Sequence, residues 1–224
     1  MRLYLSGVEY YSYRKILKYY GARFGSLNYE YIYNRTPRFN LEQDTDFLDE
    51  LIVYPGNLSA LAIDSYIDFL NTHASSIKFA IEIYSKNRIM LNMDCEVEII
   101  PWYYHLILSP AVAVSFINKK PFIKTQLLHL KETGTYIHGI DYVLPFFDSY
   151  SSSSWMWGSS GWAYYFDTKL RTYKDKTVFP SIARKLIKQG YELNLDKVKK
   201  RDWRELAKIN CIAWIKQQEY LEVQ

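Results

Sequence analysis

The chain has 224 residues, of which 49% are apolar, 17% aromatic and 23% charged, a composition typical of globular proteins that excludes disordered and fibrous ones. Its two cysteines, Cys95 and Cys211, lie far apart, which indicates neither a disulfide framework nor a zinc site and suits a reducing cytoplasm. A net charge of +4 permits a nucleic-acid partner without requiring one.

Hydrophobic periodicity predicts alternating strands and helices in the first half of the chain. A strand over residues 2–8 precedes a helix over 12–21, where Gly21 supplies the C-terminal stop. A second strand over 22–33 leads through a polar loop to a short helix that begins at about Thr45. A third strand over 51–54 ends at Pro55, and a helix over 65–73 and a strand over 77–84 follow.

The second half continues the alternation. Nearly continuous apolar runs over 98–104 and 111–117 predict buried strands of a parallel sheet. A helix over 122–132, strands over 136–140 and 143–150, and helices over 180–189 and 202–220 complete the chain. Eight strands alternating mostly with helices predict an α/β fold: a small, irregular (β/α)8 TIM-type barrel with C-terminal helices, in a single domain over 1–224.

A serine run followed by tryptophans is the most distinctive segment. It ends in Trp155, Trp157 and Trp162, with Gly158 and Gly161 among them. Small residues let the backbone approach a flat ligand while indole rings stack on it, which predicts a substrate loop. Tryptophans that fill the core below a surface loop are the alternative.

In a barrel of this type the chemistry lies at the carboxyl ends of the strands. The residues predicted there include Glu9 and Asp148, and a substrate pocket is predicted from Glu82, His105, His138, Asp141, Trp155 and Trp157. A lone histidine is more often a hydrogen-bonded structural residue than a ligand-binding one.

Positive charge concentrates toward the C-terminus. From Lys169 to Arg204 the chain has twelve Lys or Arg against four Asp or Glu. A solvated helical face explains such an excess as well as a phosphate-binding surface does. For the second interpretation the candidate residues are Arg171, Lys174, Lys176, Arg184 and Lys185.

Four short motifs carry a family resemblance: YPG at 54–56, IHGID at 137–141, YSSSSW at 150–155 and WAYYFD at 162–167. With the order of elements, they resemble the queuine and archaeosine tRNA-guanine transglycosylases, and more closely their short phage relatives that act on guanine in DNA. The resemblance spans nearly the whole chain and implies a barrel that exchanges bases. In that chemistry one aspartate attacks the sugar and a second carboxyl group shuttles the proton. The zinc site of the tRNA enzymes is absent, so we expect no metal and no cofactor.

The chain departs from the family where the two aspartates belong, with Tyr54 at one position and Ser151 at the other. We therefore expect a phage-type protein, degenerate for guanine exchange, that binds DNA, tRNA or a catalytic partner, as a homodimer or paired with an active relative. An active transglycosylase or base-excising glycosylase is the alternative, with Asp148 as nucleophile and Glu82 or Asp141 as proton shuttle. A structural or host-interaction protein is the third. We expect no membrane association and a location in the cytoplasm, that of the host if the protein is viral.

Overall fold

The computed structural model describes residues 1–29, 39–54, 65, 68–69, 91–92, 111–115, 128, 131–132, 134, 136–141 and 145–224. The chain forms two compact units. The sheet unit comprises Met1–Glu9 and Arg23–Ser152, and the helical unit comprises Tyr10–Ala22 and Ser153–Gln224. The single-domain prediction stays a prediction, since two compact units do not show whether either folds alone.

A parallel sheet of seven strands organises the described part of the sheet unit. The strands lie side by side in the order β3-β2-β1-β7-β6-β5-β4, and all six neighbouring pairs are parallel. In chain order the strands are β1 (Arg2–Ser6), β2 (Phe24–Asn28), β3 (Glu50–Tyr54), β4 (Leu91–Asn92), β5 (Ala111–Ser115), β6 (Tyr136–Ile140) and β7 (Ser149–Ser152). A short helix, α1 (Leu41–Thr45), precedes β3, and the side chain of Asn40 caps its first turn.

The prediction of a complete (β/α)8 barrel is wrong. Over the residues described, the sheet runs from β3 to β4 without closing, and β4 has two residues. The strand predicted over 143–150 instead begins at Ser149, because Pro145 has no amide hydrogen for a ladder and lies in a turn. The helix expected from Thr45 ends there instead of beginning. The predicted strands over 77–84 and 98–104, and most of the predicted helices over 65–73 and 122–132, lie outside the described residues.

The helical unit surrounds one long helix. Its elements are α2 (Tyr11–Tyr20), a 3₁₀ helix (Ser154–Ser160), the antiparallel strands β8 (Ala163–Phe166) and β9 (Leu170–Tyr173), a 3₁₀ turn (Lys176–Val178), α3 (Phe179–Lys188), α4 (Leu195–Lys199) and α5 (Trp203–Val223). Leu206, Ile209 and Ile212 of α5 pack with Phe179 and Leu186 of α3 in a core whose members are 0–5% exposed. No helix in the described part of the chain is long and apolar enough to cross a membrane.

Asn210 joins α5 to the hairpin formed by β8 and β9. Its Oδ1 accepts a hydrogen bond from the Tyr164 amide at 2.9 Å, and its Nδ2 donates one to the Trp162 carbonyl at 2.9 Å. The side chain is fully buried, and it satisfies the buried Tyr164 amide and the partly buried Trp162 carbonyl. Gly158 packs so closely on the same helix that an added Cβ would lie 2.7 Å from the Cβ of Leu206.

Candidate functional site

The strand register gives the sheet one apolar face and one polar face. Side chains paired across neighbouring strands point to the same face, so alternate residues of each strand separate. The apolar face contains Leu3, Leu5, Leu27, Leu51, Val53 and Ile137, all of them buried. The other face carries the buried apolar residues Phe24 and Ile52 together with most of the polar side chains: Arg2, Tyr4, Ser6, Ser26, Glu50, His138, Ser149 and Ser151. Most of these polar side chains are also buried, and because buried polar groups are uncommon, this face is the candidate site in the sheet unit.

His138 lies in the middle of this polar face as a neutral imidazole. Its side chain is fully buried, Nδ1 lies 2.8 Å from Ser149 Oγ, and the edge of the Tyr4 ring packs against it. Burial lowers the pKa of His138 from 6.5 to about 3. Nε2 has no hydrogen-bond partner among the residues described. A proton relay at neutral pH needs a pKa near 7, so this imidazole suits a structural role.

Ser151, the residue that the sequence resemblance aligns with a nucleophilic aspartate, has a hydroxyl group that carries no negative charge at neutral pH. The side chain is fully buried, and no described residue hydrogen-bonds its Oγ. Glu50 supplies a carboxylate on the same face, but Arg2 and the hydroxyl of Tyr4 bind both of its oxygens. Tyr54 ends β3, and its side chain lies outside what the structure describes.

Asp148 lies at the amino ends of the strands, whereas the predicted pocket lies at their carboxyl ends. It directly precedes β7, so it belongs to the amino ends of the strands, where it pairs with Lys131. Its second oxygen accepts a hydrogen bond from the Ile137 amide at 2.8 Å. Asp141, by contrast, follows β6 at the carboxyl edge, and its amide donates to the Ser151 carbonyl at 2.9 Å. The structure therefore places the proposed nucleophile, Asp148, and one of the two proposed proton shuttles, Asp141, at opposite ends of the strands.

The other candidates of the substrate pocket separate as well. Glu82 and His105 lie outside the described residues. Trp155 is fully buried in the helical unit, with its ring edge-to-face with Tyr13 at 5.2 Å. Trp157 has 43% of its surface exposed. Of the two tryptophans, Trp155 fills the core and Trp157 presents its indole to solvent, so a role in ligand binding stays a prediction for Trp157 alone.

Charge divides unequally between the two units. The helical unit has seventeen Lys or Arg against eight Asp or Glu, a net charge of +9. The sheet unit has eleven against sixteen, a net charge of −5. The net charge of +4 for the whole chain is therefore the sum of a strongly basic helical unit and an acidic sheet unit. A strongly basic unit attracts polyanions.

Two of the predicted nucleic-acid-binding lysines lie over aromatic rings. The Lys174 ammonium is 5.4 Å from the centre of the Trp162 ring, and that of Lys185 is 5.0 Å from the centre of the Tyr165 ring. Neither lysine forms an ion pair within the described part of the chain. The sequence analysis did not identify Tyr165 as part of this arrangement. Its signal in the sequence is the run of three aromatic residues in β8, Tyr164, Tyr165 and Phe166, shortly before the basic residues that begin at Lys169.

The three remaining basic candidates differ in their surroundings. Arg171 is exposed and forms an ion pair with Asp167 at 2.8 Å. Lys176 is partly buried, with its alkyl chain close to Gly161. Arg184 is exposed on α3. All five candidates thus lie in the helical unit, and four of them are exposed.

The described residues contain no group of three His, Cys, Asp or Glu side chains that is arranged to hold a metal ion. Cys211 is buried, and burial raises the pKa of its thiol, so it is not a reactive cysteine. No protein-family model, curated protein or solved structure matches this chain.

Proposed function

We propose that this protein binds single-stranded nucleic acid through its helical unit and does not exchange bases. The observation that carries the proposal is the net charge of +9 on a unit in which lysines lie over aromatic rings. The sequence resemblance to guanine transglycosylases supports a nucleic-acid ligand independently of charge.

Lysines and aromatic rings complement the two halves of a nucleotide. Ammonium groups neutralise phosphates and release the counterions condensed on them, while exposed rings stack on bases. Trp157 has the most exposed indole of this unit, with 43% of its surface exposed. Bases of a duplex are already stacked on each other, so rings of this kind favour single strands.

Base exchange lacks support in the described part of the sheet. Ser151 cannot form the negatively charged nucleophile, and Asp148 pairs with Lys131 at the amino edge. Displacement at a sugar carbon needs a nucleophile and a proton shuttle on one site, within about 3–3.5 Å of the reacting atoms.

The test is a fluorescence-anisotropy titration of a labelled single-stranded oligonucleotide between about 50 and 200 mM salt. We expect binding that weakens steeply with salt and that exceeds binding to the duplex of the same sequence. In the double variant Lys174→Ala/Lys185→Ala, we expect the slope of log affinity against log salt to shrink by about 0.7 for each lost phosphate contact.

The matched control is Arg23→Ala in the sheet unit, which also removes an exposed positive charge, one that pairs with Asp49. The control should bind like the unchanged protein. Equal losses in the control and the double variant would show that general charge, not the helical unit, causes binding. Absence of any binding by the folded protein would overturn the proposal and favour a structural or host-interaction protein.

A further inference from the structure

A cavity of about 660 Å³ lies in the helical unit between α2, the segment that precedes α4, and α5. Its volume is within the range of sites that hold small organic ligands, about 300–1,000 Å³. None of its lining residues belongs to the lysine and ring pairs of the nucleic-acid proposal. The cavity is therefore a separate candidate site.

The floor of the cavity contains a buried acid whose charge is already balanced. Glu205 is 4% exposed, its carboxylate pairs with Lys208 at 2.7 Å, and it accepts a hydrogen bond from the Asn194 amide at 2.9 Å. A paired and hydrogen-bonded carboxylate holds the segment before α4 in place on α5. Glu205, Lys208 and the Asn194 amide therefore hold the cavity in shape, and because their charges balance, they favour neither an anionic nor a cationic ligand.

The lining of the cavity includes two lysines that form no ion pair among the described residues, and one exposed carboxylate, Glu192. Lys15 of α2 and Lys197 of α4 are exposed lining residues, and neither has an ion-pair partner among the described residues. The Lys15 ammonium lies 4.4 Å from the centre of the Tyr11 ring, which keeps it near the surface of α2. Two such ammonium groups beside one cavity suit a phosphate.

An exposed ring lies beside these cations. Tyr19 has 61% of its surface exposed, and its orientation is held by a hydrogen bond from its hydroxyl to Glu192 and an edge-to-face contact with Tyr20 at 4.9 Å. A held, exposed phenol ring provides a flat surface on which a planar heterocycle stacks. The Glu192 carboxylate next to it accepts hydrogen bonds from ring N–H groups.

We propose that this cavity binds one nucleotide, with its base on Tyr19 and its phosphate between Lys15 and Lys197. The shared chemistry is a planar heterocycle joined to a phosphate, whether as a free mononucleotide or as the terminal nucleotide of a strand. The site does not depend on the nucleic-acid proposal, since its residues are different.

The test is isothermal titration calorimetry on the full chain with the four 5′-ribonucleoside monophosphates, with adenosine, with inorganic phosphate, and with a short oligonucleotide that carries a terminal phosphate. We expect saturable binding of at least one mononucleotide, weaker binding of adenosine and of phosphate alone, and a loss of about tenfold or more in Lys197→Glu and in Tyr19→Ala. If the phosphorylated oligonucleotide also binds, and if Lys197→Glu and Tyr19→Ala weaken its binding equally, the ligand is the terminal nucleotide of a strand. If only mononucleotides bind, the ligand is a free nucleotide.

Lys199→Glu is the matched control, because it makes the same change of charge on an exposed residue of α4 outside the cavity. It should leave nucleotide affinity within about twofold. Three results would overturn the proposal: no saturable mononucleotide binding, phosphate binding as tightly as any nucleotide, or equal losses in Lys197→Glu and the control. Strand binding in the anisotropy titration with no nucleotide binding here would reject the cavity alone.

Discussion

Lowering the pH from 7 to 5 should destabilise this fold through His138. Burial lowers the pKa of its imidazole to about 3 in the folded chain, whereas the unfolded chain titrates near 6.5. Between these values the unfolded chain binds the additional proton, so the free energy of unfolding falls as the pH falls below about 6.5. One pKa unit corresponds to about 1.4 kcal/mol, and the loss between pH 7 and pH 5 is about 2 kcal/mol.

The assay is urea unfolding followed by tryptophan fluorescence at both pH values, for the unchanged protein and for His138→Asn. The amide of Asn does not titrate and retains a polar partner for the Ser149 hydroxyl. The other three histidines are present in both proteins, so their contribution cancels in the comparison. If both proteins lose the same free energy between pH 7 and pH 5, a neutral buried His138 is refuted. Should the Asn variant fail to fold, His138→Gln makes the same comparison.

Three further changes test the helical unit and its surface. Asn210→Ala removes the partner of the buried Tyr164 amide and of the partly buried Trp162 carbonyl, and we expect the free energy of unfolding to fall by about 1–3 kcal/mol, measured by urea unfolding. Gly158→Ala forces a Cβ into Leu206, and we expect a loss of about 1–3 kcal/mol, read as a lower melting temperature. Trp157→Ala removes an exposed indole, and we expect the affinity for a single-stranded oligonucleotide to fall by about 1–3 kcal/mol while the melting temperature changes little.

Each of the three changes has a control of similar size. Asn210→Asp keeps an acceptor for the Tyr164 amide but buries an ionisable carboxyl group, so we expect it to lose at least as much stability as the Ala variant. Ser160→Ala lies two residues from Gly158 on an exposed position and should leave the melting temperature unchanged. Trp157→Phe retains a ring and should retain most of the affinity. Unchanged stability of Asn210→Ala or of Gly158→Ala would contradict the hydrogen bonds of Asn210 or the close packing of Gly158 on Leu206. Unchanged affinity of Trp157→Ala would contradict a role of Trp157 in binding the oligonucleotide.

Helices with a strong apolar period and a defined stop were predictable from sequence. The helix predicted over 12–21 is observed over Tyr11–Tyr20, with Gly21 at a φ of 76° beyond its end. The helix predicted over 180–189 is observed over Phe179–Lys188. In both cases local information suffices, because apolar spacing selects the buried face and a glycine or proline fixes an end.

The strand that matters most for the site could not be placed in the same way. β7 is Ser149–Ser152, a serine-rich segment with low strand propensity, whereas the sequence predicts a strand over 143–150 that ends inside β7, followed by a loop. Its backbone pairs with β1 on one side and β6 on the other, so distant partners determine its conformation. Because β7 begins at Ser149, Asp148 lies at the amino ends of the strands and not at the carboxyl ends, where the predicted strand over 143–150 would have placed it.

Contacts between segments that are distant in the chain could likewise not be predicted from the sequence. The excess of basic residues after Lys169 was visible, but the rings beneath the cations come from other elements. Lys185 lies on α3 and Tyr165 on β8, twenty positions apart in the chain. Neither spacing nor periodicity relates such a pair, whose contact depends on how α3 and the hairpin pack.

The most direct test of the central claim is photochemical crosslinking of a single-stranded oligonucleotide to the full chain, followed by mass spectrometry of the crosslinked peptides. The account predicts crosslinks within residues 153–224, at aromatic positions such as Trp157, Trp162 and Tyr165, and their loss at high salt. Crosslinks confined to residues 23–152, or none at all under conditions where the protein is folded, would contradict the assignment of nucleic-acid binding to the helical unit.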